Sequence, residues 1–170
     1  MAKKVAVIMT DLAEDIEYTS PKEAIEAAGH ETVLISPDGS TVEGKKGGKF
    51  ESDKAIGEVT PSDYDALLIP GGFSPDILRG DKEDRFGNFA KHFLEEDKPV
   101  FAICHGPQLL VDTGLLKDRK ITSVKNVKND LINAGAKWED SALAVCGNLA
   151  TSRTPADLDQ FNDEIKRQLG

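Results

Sequence analysis

The feature that most constrains this chain is a set of near-continuous apolar runs, each ending in a turn-forming or chemically unusual loop: "KVAVIMT", "YDALLIPGG" and "KPVFAIC". A strand with one wet face alternates apolar and polar residues, whereas an unbroken run belongs to a strand covered on both faces, as in a parallel sheet between helices. "HETVLIS" supplies a further strand. Between the runs lie segments with helical signals. "SPKEAIEAAG" reads as a helix with Ser20 as cap, Pro21 at the first helical position and Gly29 as stop. "EDRFGNFAKHFLEED" brings Phe86, Phe89, Ala90 and Phe93 to one helical face. "TPADLDQFNDEIKRQL" has Thr154 as cap, Pro155 behind it, and Leu158, Phe161, Ile165 and Leu169 on one stripe, which predicts a packed C-terminal helix. Strand, helix, strand in repetition predicts an α/β sandwich with a largely parallel sheet and right-handed connections.

Smaller signals complete the outline. The glycine- and charge-rich tract "PDGSTVEGKKGGKFESDKAIGEV" predicts a hairpin or excursion at the sheet edge. "SPDILRG" opens a capped helical turn, "KITSV" is a strand candidate, and "NVKNDLINAG" is a helix closed by Gly135. In "ALAVCGNLATSR" the Gly147-Asn148 pair between β-prone runs predicts a hairpin. With 170 residues, no repeat and no linker, residues 1–170 are expected to form one domain, burying about 70% of the surface of the unfolded chain without help from disulfides or metals.

Composition narrows the function classes. A net charge of -9 with acidic residues spread along the chain argues against a phosphate-backbone binder, so no nucleic acid partner is expected. The apolar part of the N-terminal "MAKKVAVIMTDLAEDIE" is too short for a signal peptide and acidic residues follow at once. No apolar run approaches the roughly 18 residues of a membrane span, so a cytoplasmic location without membrane association is the expectation. The two cysteines are then expected to be free thiols.

In an open α/β sheet, ligands bind outside the carboxyl ends of the strands. Three loops there carry unusual chemistry: "TDLAEDIE", "PGGFSPD" and "CHGPQ". If their strands are neighbours, the loops meet at one edge. Cys104 lies between a strand and Gly106-Pro107, a strand-to-helix turn geometrically like a nucleophile elbow, although Ala102 stands where the hydrolase motif has glycine. A buried structural thiol is the competing reading, since free cysteine is among the most buried residue types. Gly71 and Gly72 offer unshielded backbone N–H groups of the kind an oxyanion hole requires, or simply make a tight turn. Glu14, Asp15 and Glu17 crowd the first loop, either as a solvated cluster before a helix or with one carboxyl bonded to the thiolate; such a carboxyl must be protonated to donate. His105 follows Cys104, but adjacency does not establish pairing. His30 and His92 read as helix-end or surface residues, and Cys146 as packing. There is no metal-ligand spacing, phosphate-binding glycine loop or dinucleotide fingerprint.

Taken together, "EDIEYTSP", "YDALLIPGGFSPDILR", "PVFAICHGPQLL", "DLINAGAKW" and "SRTPADLDQF", in order and over nearly the whole chain, resemble the PfpI family of the class I glutamine amidotransferase-like superfamily. The resemblance implies a flavodoxin-like sandwich and makes Cys104 the nucleophile, with Glu17 as the carboxyl that touches it. It places the oxyanion hole at the amides of Gly72 and His105. It also implies that Asp76 of another subunit orients His105, so that a homodimer or larger homo-oligomer completes the site. Three functions follow as expectations. The first is a cofactor-free glyoxalase or deglycase acting on a small aldehyde or a glycated protein. The second is an intracellular peptidase using Cys104, His105 and Asp76. The third is a non-enzymatic oxidative-stress sensor through Cys104.

Overall fold

The computed structural model describes residues 1–170. In chain order its elements are β1 (Lys4–Ile8), α1 (Asp15–Ala27), β2 (Glu31–Ser36), β3 (Val42–Glu43), β4 (Lys49–Phe50), β5 (Lys54–Ala55), β6 (Ala66–Ile69), α2 (Ser74–Arg79) and α3 (Arg85–Glu95). The second half contains β7 (Val100–Ile103), a 3-10 segment Gly106–Thr113, β8 (Lys120–Ile121), α4 (Lys128–Asn133), β9 (Lys137–Trp138), β10 (Ala144–Cys146), β11 (Leu149–Ser152) and α5 (Leu158–Leu169).

The main sheet has seven strands in the order β10-β11-β7-β6-β1-β2-β5. Every pairing is parallel except β10 with β11, the hairpin turned by Gly147 at φ 59°. The apolar runs fill its centre: Val5 to Ile8, Ala66 to Ile69 and Val100 to Ile103 are all 0% exposed. Side chains alternate across a strand, so each run feeds two cores. One core joins Ala6, Ile8, Leu67, Ile69 and Ala102 to Phe86, Phe89 and Phe93 of α3 and to Leu109 and Leu131. The other joins Val5, Val7, Leu68, Phe101 and Ile103 to Tyr18 and Ile25 of α1 and to Phe161, Ile165 and Leu169 of α5. Helices thus cover both faces, and no helix is long and apolar enough to cross a membrane.

The edge excursion is present: β3 and β4 pair as an antiparallel hairpin and β5 adds to β2 at the sheet edge. Several boundaries differ from expectation. The first helix begins at Asp15, so Ser20 is not its cap and Pro21 lies inside it. Pro21 therefore gives no N–H to the carbonyl of Glu17. Asp15 and Glu17 are helical residues, not loop residues. The "KITSV" strand shrinks to Lys120–Ile121, paired with β9 in a separate small sheet. At the C-terminus, a 3-10 turn at Pro155–Asp157 comes between Thr154 and α5, and Thr154 makes no side-chain capping bond.

Candidate active site

Strands β7, β6 and β1 are consecutive in the sheet, and their registers align Val7 with Leu68 and Ile69 with Ala102. All three run the same way, so the loops after Ile8, Ile69 and Ile103 open on one edge. Beyond those strand ends lie Glu17 in the first turn of α1, the Gly71-Gly72 pair, and Cys104.

Cys104 is the first residue past β7 and has φ 62°, in the left-handed region that non-glycine residues rarely occupy. The backbone is held there from two sides: the Cys104 N–H donates to the Ser152 carbonyl at 3.0 Å, and the Cys104 carbonyl accepts from Val124 N at 3.1 Å. The turn places Nδ1 of His105 3.4 Å from the Cys104 sulphur. These consecutive side chains, which would point apart in a strand, therefore meet.

Glu17 is completely buried. Its Oε1 accepts the Gly71 N–H at 2.9 Å, while Oε2 is buried with no protein hydrogen bond of its own. Burial pushes this carboxyl up to about 8, against the smaller lowering by the Gly71 bond, so at neutral pH Glu17 is largely protonated. A protonated carboxyl is a donor, and the Cys104 thiol lies beside it. Burial and an ionised Glu17 would together drive the thiol up to about 12. With the proton on Glu17 that repulsion disappears and the same contact becomes a hydrogen bond to the thiolate. The amides of His105 and Gly72, both directed at the sulphur, favour the thiolate further. Glu17 and Cys104 are thus coupled, the charge of each disfavouring ionisation of the other.

The glycine pair is required by geometry. Gly72 has φ 72°, and a Cβ there would lie 2.5 Å from both Leu12 O and Glu14 N. A Cβ on Gly71 would lie 2.5 Å from Glu17 Oε1 and 3.0 Å from the Cys104 Cβ. The two glycines have different partners. Gly72 presents its N–H to the sulphur, as does His105, but the Gly71 N–H is spent on Glu17 and is not free for an oxyanion.

His105 is half-buried, and burial together with the Lys45 charge lowers its pKa, with Asp76 opposing them. Asp76, in the first turn of α2, is exposed and within electrostatic range of His105 of its own chain, and the two share no hydrogen bond. Lys45 was not marked by the sequence reading. It stands at the tip of the β3–β4 hairpin, its N–H donates to Ala13 O at 2.9 Å, and its ammonium lies 5.4 Å from the centre of the Phe73 ring. Only pairing across space, invisible in a Gly- and Lys-rich tract, brings it to the site. Cys146 is a free, partly buried thiol at the end of β10 and belongs to neither apolar core. His30 is buried rather than on the surface: Nδ1 accepts from Lys3 N at 2.9 Å, so Nε2 carries the proton and donates to Gly170 O at 3.0 Å.

The comparisons with known proteins agree on one family. An uncharacterized protein of Staphylococcus saprophyticus is 59% identical over 170 residues, covering 99% of both chains. One from Staphylococcus aureus strain Mu50 is 58% identical with the same coverage. Among solved structures, a two-domain protein of Anabaena variabilis with DJ-1/ThiJ/PfpI-like and ferritin-like domains is 37% identical with a TM-score of 0.94; the match covers 99% of this chain and 50% of that one. Drosophila melanogaster DJ-1beta, at 24% identity and a TM-score of 0.90 over 99% of this chain and 91% of its own, shares the fold. The model of the DJ-1/PfpI family matches residues 3–168, which takes in all three loops at the sheet edge. By sequence and by architecture, this chain belongs to the DJ-1/PfpI family.

Proposed function

We propose that the chain is a cofactor-independent cysteine enzyme acting on glyoxal, methylglyoxal or early glycation adducts. The observation that carries this reading is the buried Glu17, protonated near neutral pH, beside a thiol that two backbone amides face. The Cys104 thiolate adds to the aldehyde carbon, a C–S bond forms, and the carbonyl π pair moves to oxygen, which takes a proton to give a hemithioacetal. His105, kept neutral by burial and by Lys45, removes the proton on that carbon. Reprotonation at the neighbouring carbonyl carbon leaves a 2-hydroxy thioester. Water cleaves it, releasing lactate from methylglyoxal and restoring the thiol. The sum is methylglyoxal plus water to lactate.

The test is lactate formation from methylglyoxal by wild type, Cys104→Ala, Glu17→Gln and His105→Ala. Loss of turnover in Cys104→Ala is expected; full activity in that variant ends the nucleophile reading, and no lactate from wild type ends the glyoxalase reading. A peptidase is a second reading, favoured by the Cys104–His105 contact with the Asp76 charge acting on His105. It predicts peptide cleavage without lactate. Selective oxidation of Cys104 by peroxide in the absence of either activity would instead favour a sensor.

A homo-oligomer built around this edge is part of the proposal. Leu12, Ile16, Phe73 and Ile77, all between 43% and 55% exposed, lie on the loop after β1, the first turn of α1 and the entry to and body of α2. Exposed large apolar side chains on adjoining segments support a contact between copies.

A further inference from the structure

The hairpin that carries Lys45 is anchored far more firmly than its glycine-rich sequence suggests. Asp15 takes two amides at its tip, Lys46 N on Oδ1 at 3.0 Å and Gly48 N on Oδ2 at 2.8 Å. Asp11 accepts Glu43 N at 2.9 Å, and Leu12 N donates back to Glu43 O at 2.9 Å. With the bond from Lys45 N to Ala13 O, the tip is bound at successive points to the segment that leads into Glu17. The latch holds an ammonium group over Phe73, the residue next to the Gly72 amide.

What sets that ammonium apart is its place beside the site: the chain has a net charge of -9, and the hairpin tip carries this positive charge to the loop of the Gly72 amide. Lys45 is exposed and has no salt bridge. The carboxyl deepest in the site, Glu17, is largely protonated at neutral pH and does not neutralise it. A fixed, unpaired cation at the mouth of a nucleophile in an acidic protein is placed to receive a negative charge.

We propose that Lys45 is a specificity-determining residue that receives an anionic group, carboxylate or phosphate, borne by the substrate close to its electrophilic carbon. The substrate class is then an anionic 2-oxoaldehyde or an adduct of one. This deepens the glyoxalase reading and rests on it for the identity of the reaction, but the recognition step can be read without turnover.

The probe is a pair of Cys104 alkylating reagents that differ in charge, iodoacetate and iodoacetamide. Each forms an S–C bond and expels iodide, so any change in thiolate fraction affects both rates alike and cancels in their ratio. Reaction is followed on Cys104 itself by mass spectrometry of the intact, full-length protein. The iodoacetate to iodoacetamide rate ratio should fall about fivefold in Lys45→Met. It should stay near the wild-type value in Lys45→Arg and in Lys46→Met on the same hairpin. Raising the salt concentration to about 0.5 M should bring wild type toward Lys45→Met. An unchanged ratio in Lys45→Met overturns the proposal, as does an equal fall in Lys46→Met, which would mark a diffuse field and not a recognition position. Wild type that fails to make lactate from methylglyoxal yet shows the Lys45-dependent ratio defeats the glyoxalase reading alone; lactate formation with an unchanged ratio defeats the Lys45 assignment alone.

Discussion

Nδ1 of His105 lies 3.4 Å from Sγ of Cys104, although the two residues are consecutive. Adjacent side chains in extended backbone point to opposite faces. The left-handed turn at Cys104, φ 62°, followed by helical backbone at His105, φ -79° and ψ -13°, brings them to the same side. Thiol and imidazole are thereby coupled by a single rigid turn, with no long loop to order.

His105→Ala should separate proton transfer from nucleophilicity. Lactate formation from methylglyoxal is expected to fall by about 10²- to 10⁴-fold, the usual worth of a positioned general base. Alkylation of Cys104 by iodoacetamide should fall far less, because Glu17 and the Gly72 amide remain. Equal losses in the two assays would assign His105 to activating the thiol instead.

Glu17 predicts a stability that declines as pH rises. Its carboxyl is raised in the folded protein from an ordinary 4.5 to about 8, chiefly by burial. Below 4.5 folded and unfolded states are both protonated there and the group contributes no penalty. Between 4.5 and about 8 the unfolded chain ionises while the folded one holds its proton, so stability is lost progressively, to a ceiling of about 5 kcal/mol. Glu17→Gln cannot ionise. Urea denaturation should find its stability relative to wild type several kcal/mol more favourable at pH 8 than at pH 5, with activity reduced.

Gly72→Ala should fail in both stability and catalysis. The new Cβ meets backbone atoms of Leu12 and Glu14 at 2.5 Å, neither of which is a flexible side-chain end, and the position has φ 72°. A loss of about 2 kcal/mol or more in denaturant unfolding is expected. Displacing an amide from the reacting centre should lower turnover by about 10²-fold or more. Wild-type turnover in a folded Gly72→Ala protein would remove Gly72 from the oxyanion position.

Asp157 should behave oppositely to Glu17 with pH. Burial raises this carboxyl, but the bonds from the Arg153 side chain and backbone together outweigh burial, and the net direction is down. Arg153 grips it with Nε at 2.9 Å and Nη2 at 3.0 Å. A carboxylate lowered in this way stabilises the fold above its unfolded pKa, and the contribution is lost as pH falls through the folded value. Asp157→Asn is expected to cost about 2 kcal/mol at pH 7 and progressively less on acidification, measured by chemical denaturation.

The strands of this sheet were the most legible part of the sequence, because burial on both faces leaves an unbroken apolar run at β1, β6 and β7. The meeting of their loops followed only on the supposition that the strands are neighbours, and it was the family resemblance that singled out Glu17 from Glu14 and Asp15. What escaped depends on distant partners. Pro21 mimics a helix start, yet the helix begins at Asp15, whose carboxylate is occupied by the hairpin tip. The Gly71 amide was readable as a donor, but its recipient, Glu17, is 54 residues away. Lys45 carries no local mark at all, since its position follows from the fastening of one loop to another.

The left-handed backbone at Cys104 bears on how such a protein is selected. Any side chain there strains the chain by about 1–2 kcal/mol that glycine would not. Cys104→Gly would be relieved of that strain and, under the proposed chemistry, would have lost its nucleophile. Thermostability screening by itself therefore pulls this position toward glycine, and a library of this protein enriched only for resistance to heat would drift away from the thiol on which the proposed reaction depends.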